Sequence, residues 1–300
     1  MTDPALRTLN DSGFPLQIAV HHQIEQSKAR HGWSVRYSEH AWDSRDEGRS
    51  GFIDLVLQNQ YRTGYIVIEC KRPRDSDWVF LHSDGKANTR AHAQVWVSHY
   101  LGGTMQWFDW SHVTVDPICP EVQFCAVRGQ STAERVTLLE KAAAELVLAT
   151  ERLAHEHRDY RHPENPSLQL FSCVLVTTAK LKVARFDPES ISLVDGTLAT
   201  ATFEDVPFVR FRKQLGVHSS RLSSHQWSSG ADVSYMKEST VFVVNAEYIC
   251  QFLENFEIRD SSLQQFLGAA YHSLNRTFCG KPLQAIISFL ALRSLPQNAA

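Results

Sequence analysis

The stretch Gly51–Arg74, GFIDLVLQNQYRTGYIVIECKRPR, decides how the chain is read. It predicts two strands, Phe52–Gln58 and Tyr65–Lys71, because Ile, Val and aromatic residues suit a pleated, half-buried surface. The polar run Asn59–Thr63 and Gly64 supply the turn between them. Folding this hairpin about Arg62 sets Asp54 opposite Glu69 and Cys70. Side chains alternate faces along a strand, so Glu69 and Lys71 share one face and Cys70 takes the other. Two carboxylates and a lysine then stand together at the end of an apolar hairpin. Burying that charge is costly without a compensating partner, and a divalent cation is one.

The rest of the chain bounds what this hairpin serves. Three hundred residues suffice for one large domain or two small ones. An apolar content of 43% with 21% charged residues describes a globular protein rather than a disordered one. The net charge of −3 does not advertise nucleic acid, so any such contact needs a local patch. Lys71, Arg72, Arg74, Lys86 and Arg90 form the basic cluster nearest the hairpin, which suits a phosphate backbone. A solvated loop is its plain alternative. Six scattered cysteines without a C-x-x-C pair argue against structural zinc and against a disulfide scaffold, and fit a reduced, cytoplasmic setting. The start MTDPALRTLNDSG lacks the pattern of a signal peptide, and no apolar stretch reaches the ~18 residues of a membrane span.

Taken in order, Phe14–His31 predicts an amphipathic helix, with Pro15 in its first turn and Gly32 ending it. Leu16, Val20 and Ile24 lie on one side and Gln17, His21 and Glu25 on the adjacent stripe. A strand follows at Trp33–Glu39, then a charged loop, Asp43–Ser50. After Lys71 the chain reads as irregular, with an apolar island at Trp78–Leu81 that suits core packing better than base stacking. Arg90–Leu101 predicts a second helix and Glu121–Val127 a fourth strand. Ser131-Thr132-Ala133-Glu134 has the capping-box pattern and opens the longest helix, to about His157. Strands follow at Gln169–Thr177, around Asp187-Pro188 and Asp195-Gly196, at Phe208–Arg212 and at Thr240–Asn245. Helices are expected near Ala246–Phe256, Ser261–Leu274 and Leu283–Leu295.

Asp54, then fourteen residues, then Glu69-Cys70-Lys71 resembles the D…E-x-K signature of the PD-(D/E)XK, restriction-endonuclease-like nuclease superfamily. Ile53 stands where the superfamily's name has Pro. GFPLQ at 13–17, ECKRPRDSDWVF at 69–80, LVTTAKLKV at 175–183 and VFVVNAEYICQFL at 241–253 are similar to stand-alone bacterial proteins of that group. The resemblance implies an α/β restriction-endonuclease-like core of order αβββαβ, a mixed central sheet flanked by helices, with a C-terminal α+β elaboration. The core would span residues 1–130, and 131–300 would be an extension packed on the same sheet.

It also implies a metal-dependent nuclease, acting on DNA rather than RNA. Mg2+ (or Mn2+) would be held by Asp54, Glu69 and the backbone carbonyl of Cys70. Lys71 would orient water and balance charge rather than act as a base. Arg72, Arg74, Lys86 and Arg90 would grip the nucleic acid. The first helix of such proteins usually carries Glu where this chain has Gln17. Gln17 can hydrogen-bond a water of the cation's shell through its carbonyl, but it adds no charge; Glu25 lies two turns too far along. Gln94, on the second helix, would stand near Lys71. Two other readings remain open: a nuclease fold that binds nucleic acid without cutting it, and a triggered effector nuclease of a bacterial defence system. Self-association is a further open partner class.

Overall fold

The computed structural model describes residues 3–44, 48–73, 77–83, 92–101, 103–127, 137–162, 167–215, 237–259 and 262. Helix α1 (Pro4–Asp11) is N-capped by the Asp3 carboxylate. Helix α2 (Phe14–His31) buries Leu16, Val20 and Ile24, the expected stripe. It stops at Gly32, whose φ of 73° is left-handed and favours a residue without a Cβ. Strand β1 (Trp33–Ser44) runs past its expected end at Glu39 and pairs antiparallel with β2 (Arg49–Asn59). Strand β3 (Gly64–Lys71) completes the hairpin, with Leu55 opposite Ile68 and Gln58 opposite Tyr65. Arg62 takes a left-handed φ of 59° in the turn, and the Thr63 N–H donates to Asn59 Oδ1 at 3.0 Å. A Cβ on Gly64 would come within 2.9 Å of the Asn59 amide nitrogen and 3.0 Å of the Trp33 ring, so a larger residue there must displace those side chains.

Four expectations are corrected downstream. Part of the supposedly irregular run after Lys71 is a strand, β4 (Asp77–Ser83). The helix expected at Arg90–Leu101 is strand β5 (His92–Leu101), paired with β6 (Thr104–Asp116) and with the first half of β9. Residues 93–100 are all buried, so the two-residue alternation that marks a half-exposed strand is absent. The strand expected at Glu121–Val127 splits into β7 (Glu121–Val122) and β8 (Phe124–Val127), which join different sheets. The long helix is α3 (Leu138–Asp159), and its capping box is Thr137 with Glu140. The Ser131–Glu134 pattern lies outside the described residues, as do the helices expected at 261–274 and 283–295, apart from residue 262.

Strands β9 (Leu168–Thr177), β10 (Lys180–Phe186), β11 (Thr202–Val206), β12 (Phe208–Gln214) and β13 (Glu238–Asn245) follow, then α4 (Ile249–Asn255) and β14 (Glu257–Ile258). The result is a mixed α/β fold. One ten-stranded sheet runs β1-β2-β3-β9-β13-β12-β7, with β3 and β9 parallel. Beyond β3, the other edge of β9 is shared: β5 pairs with residues 168–171 and β13 with 174–177. A four-stranded sheet, β11-β10-β4-β8, stands apart from it.

Each face of the large sheet carries its own core. On one face Leu55, Leu57, Ile66, Ile68 and Val176 pack with Val20 and Ile24 of α2 and Phe252 of α4. On the other, Val56, Val67, Phe171 and Leu175 pack with Leu146 and Leu153 of α3 and with Trp78 and Phe80 of the small sheet. Trp78 and Phe80 are fully buried, as core packing requires. Among the described residues no helix is long and apolar enough to cross a membrane.

Candidate metal centre at the hairpin end

The β2–β3 ladder ends at Leu55 and Ile68, and Asp54 and Glu69 are the next residues on each strand. Beyond that point the Asp54 side chain takes over from the ladder: its Oδ2 accepts from the Cys70 N–H at 2.6 Å. That bond engages one carboxylate oxygen and leaves Oδ1. In an extended strand a residue's N–H and C=O point to the same neighbour. The Cys70 carbonyl therefore lies on the Asp54 side as well. The Cys70 side chain turns the other way and packs against the core beneath α2. Two residues along the strand from each other, Glu69 and Lys71 form an ion pair, both partly exposed.

The electrostatics agree with one shared site. Burial raises the Asp54 carboxyl above its ordinary range; the Cys70 N–H and Lys71 oppose that rise and Glu39 adds to it. Burial also raises Glu69, reinforced by Asp54 and by Glu145 and opposed by Lys71. For Lys71 burial pulls downward, but Glu69 and Asp54 outweigh it. Its pKa is raised on balance, which favours the ammonium form of Lys71.

Two acids near the site were not anticipated. Ser38 pairs with Leu55 and His40 with Ile53, so Glu39 falls opposite Asp54 across β1 and β2. It takes a left-handed φ of 51°. The only advance signal was the pairing of β1 with β2, and reading that strand to end at Glu39 hid it. Glu145, on α3, acts electrostatically on both Glu69 and Lys71. It lines a cavity of about 430 Å³ together with Glu69, Trp42, Arg49 and Phe52. Assigning the second helix to residues 90–101 concealed it.

The other expected site residues separate. Gln17 is buried at the site, but through its nitrogen: Nε2 donates to Glu39 Oε1 and, at 3.0 Å, to the Asp54 carbonyl. Both partners are acceptors, which settles the orientation of the amide. Gln94 is corrected from helix to β5, on the far side of β9 from β3. Its N–H donates to Thr240 and its side-chain amide meets His112 at 3.2 Å. A buried strand between two others holds it there, away from the hairpin end. The exposed Arg72 donates to the Asn10 carbonyl at the end of α1. Arg74, Lys86 and Arg90 lie outside the described residues. Glu25 accepts from the Val35 N–H and serves the α2–β1 junction. His155 and His157 pack among Trp96, Phe108, Tyr65 and Phe171.

Among the described residues no three His, Cys, Asp or Glu side chains converge as a ready cage for a metal. The donor set is two carboxylates and a backbone carbonyl on the same side. Hard oxygen ligands with room for several waters are what Mg2+ takes, so the residues present fit that ion. Comparisons with protein-family models, with curated proteins and with solved structures each found no match for this chain.

Proposed function

We propose that this protein is a metal-dependent nuclease with a restriction-endonuclease-like core, hydrolysing phosphodiester bonds in DNA. One observation carries the reading: Asp54, Glu69 and Lys71 meet at the hairpin end, with Asp54 tied to the Cys70 N–H. The order of elements supports it. Helix α2, strands β1–β3, helix α3 and strand β9 parallel to β3 follow the αβββαβ order that the D…E-x-K resemblance implies. Strands β4–β8 are then an insertion between β3 and α3, and the core on this reading runs to Thr177 instead of ending at residue 130, the bound expected from the sequence.

Asp54, Glu69 and the Cys70 carbonyl would hold Mg2+, which when bound supplies charge stabilisation at phosphorus and makes water more acidic. Lys71, kept cationic by Glu69 and Asp54, offsets the negative charge that develops as water attacks. Glu69 positions that ammonium through their ion pair. The cavity beside Glu69, with exposed Phe52 and Arg49 at its wall, offers room for the nucleotide next to the scissile phosphate.

A second reading, binding of nucleic acid without cleavage, is favoured by Gln17, an amide where such nucleases usually carry an acid. Incubating the full chain with plasmid and with RNA, in Mg2+, Mn2+ or EDTA, separates the two. The proposal expects cleavage that EDTA, Asp54→Ala and Lys71→Ala each abolish. Binding with no cleavage in either metal supports the second reading instead.

A further inference from the structure

This inference rests on the metal-site reading above and concerns how the site makes good its missing helical acid. Gln17 is nine-tenths buried, and its nitrogen donates to Glu39 and to the Asp54 carbonyl. The register of β1 on β2 sets Glu39 opposite Asp54. Its backbone sits in the left-handed region, which a non-glycine residue adopts only against a steric cost. Glu39 is exposed, so burial does not force it there. The bond to Gln17 gives that conformation a structural purpose, because it turns the carboxylate toward Asp54. At the hairpin end Asp54 and Glu69 stand with Lys71, and Glu39 lies opposite Asp54, so carboxylates outnumber the ammonium there, as suits a divalent cation.

We infer that Glu39 replaces the missing acid of the first helix, and that Gln17 is the positioning residue that holds it toward the cation site of Asp54 and Glu69. The acid then stands on the strand facing the helix, and the helix supplies the hydrogen bond that holds it. Glu39 acts from beyond the direct ligands, by charge and as an acceptor toward the cation's waters. Gln17 should therefore affect the cation only through Glu39. Gln17→Met keeps the side chain's length and removes the donor that holds the Glu39 carboxylate.

The test is the affinity of the full chain for Mn2+, measured by isothermal titration calorimetry, with thermal melts to show that each variant is folded. The wild type should bind, and Asp54→Asn should abolish binding. Glu39→Gln should weaken it about tenfold, the worth of roughly 1.4 kcal/mol. Gln17→Met should weaken binding in the wild type and have no further effect in Glu39→Gln. Glu189→Gln, which removes an exposed charge from a distant turn, should bind like the wild type. Unchanged affinity in Glu39→Gln overturns the role of Glu39, and a Gln17→Met effect that is absent, or that persists in Glu39→Gln, overturns the clamp. If the wild type binds no Mn2+, or Asp54→Asn binds as well as the wild type, the metal-site reading itself fails.

Discussion

The side-chain nitrogen of Gln17 lies 3.0 Å from the backbone carbonyl oxygen of Asp54. Helix α2 is thus joined to the strand that carries the candidate metal ligand, at that ligand's own residue. The same nitrogen donates to Glu39, so one buried amide ties α2, β1 and β2 together.

Gln17→Glu should therefore destabilise the metal-free protein. It removes the donor from two bonds and sets a carboxylate against two acceptors. A loss of about 1–3 kcal/mol is expected for a buried polar group left without its partners. Urea denaturation in EDTA measures it, and a stability equal to wild type contradicts it.

Asp54→Asn should act the other way near neutral pH. The folded protein raises the Asp54 carboxyl, chiefly by burial. A carboxyl raised on folding favours the fold at low pH, and that contribution is lost as pH rises through its folded-state value. Asparagine carries no charge to bury, and its side-chain oxygen can still accept from the Cys70 N–H. The variant should melt above wild type at pH 7, with the gain vanishing below the ordinary carboxyl value of 3.8. Mn2+ should raise the melting temperature of the wild type and leave Asp54→Asn unmoved.

Lys71 should matter as a charge. Lys71→Met should reduce cleavage by about 10²–10³-fold, as when one stabilising donor is removed from a reacting centre. Lys71→Arg should retain more activity than Lys71→Met. Because Glu69 and Asp54 hold the ammonium protonated, cleavage should decline as pH passes above the ordinary lysine value of 10.5. A rate that climbs through that range would instead mark Lys71 as a base.

Acid sensitivity should come from the aromatic cluster under the end of α3. Burial lowers His155 and His157 to about 4, from the ordinary 6.5. Between those values the unfolded chain binds more protons, so stability falls as pH drops from 6.5 to about 4 and levels off below. His157 meets Tyr65 and Phe171 edge-on, a geometry phenylalanine can keep. Melting curves of His157→Phe against pH should show a shallower slope across that window.

Trp78→Ala should cost about 3–5 kcal/mol, since a fully buried aromatic leaves a cavity. Mn2+ affinity of the folded fraction should not change. A stable variant with weakened nucleic-acid binding would make Trp78 a stacking residue rather than part of the core.

The amino-acid sequence by itself determined what short-range physics controls. Ile, Val and aromatic content and the turn composition between residues 51 and 71 marked the hairpin, and the hairpin alone brought Asp54 level with Glu69. Helix α2, with its buried stripe and its glycine stop, followed from spacing within a few turns. What depends on distant partners was settled only in three dimensions. Gln94 belongs to a strand because β6 and β9 flank it and both faces are covered, so no local periodicity remained to mark it. Glu39 faces Asp54 only through the register of β1 on β2, and Glu145 reaches Glu69 only because α3 packs across the sheet. Strand register and helix docking are chosen by burial summed over the whole core. A charged residue's neighbours across a sheet therefore become visible only once the sheet is assembled.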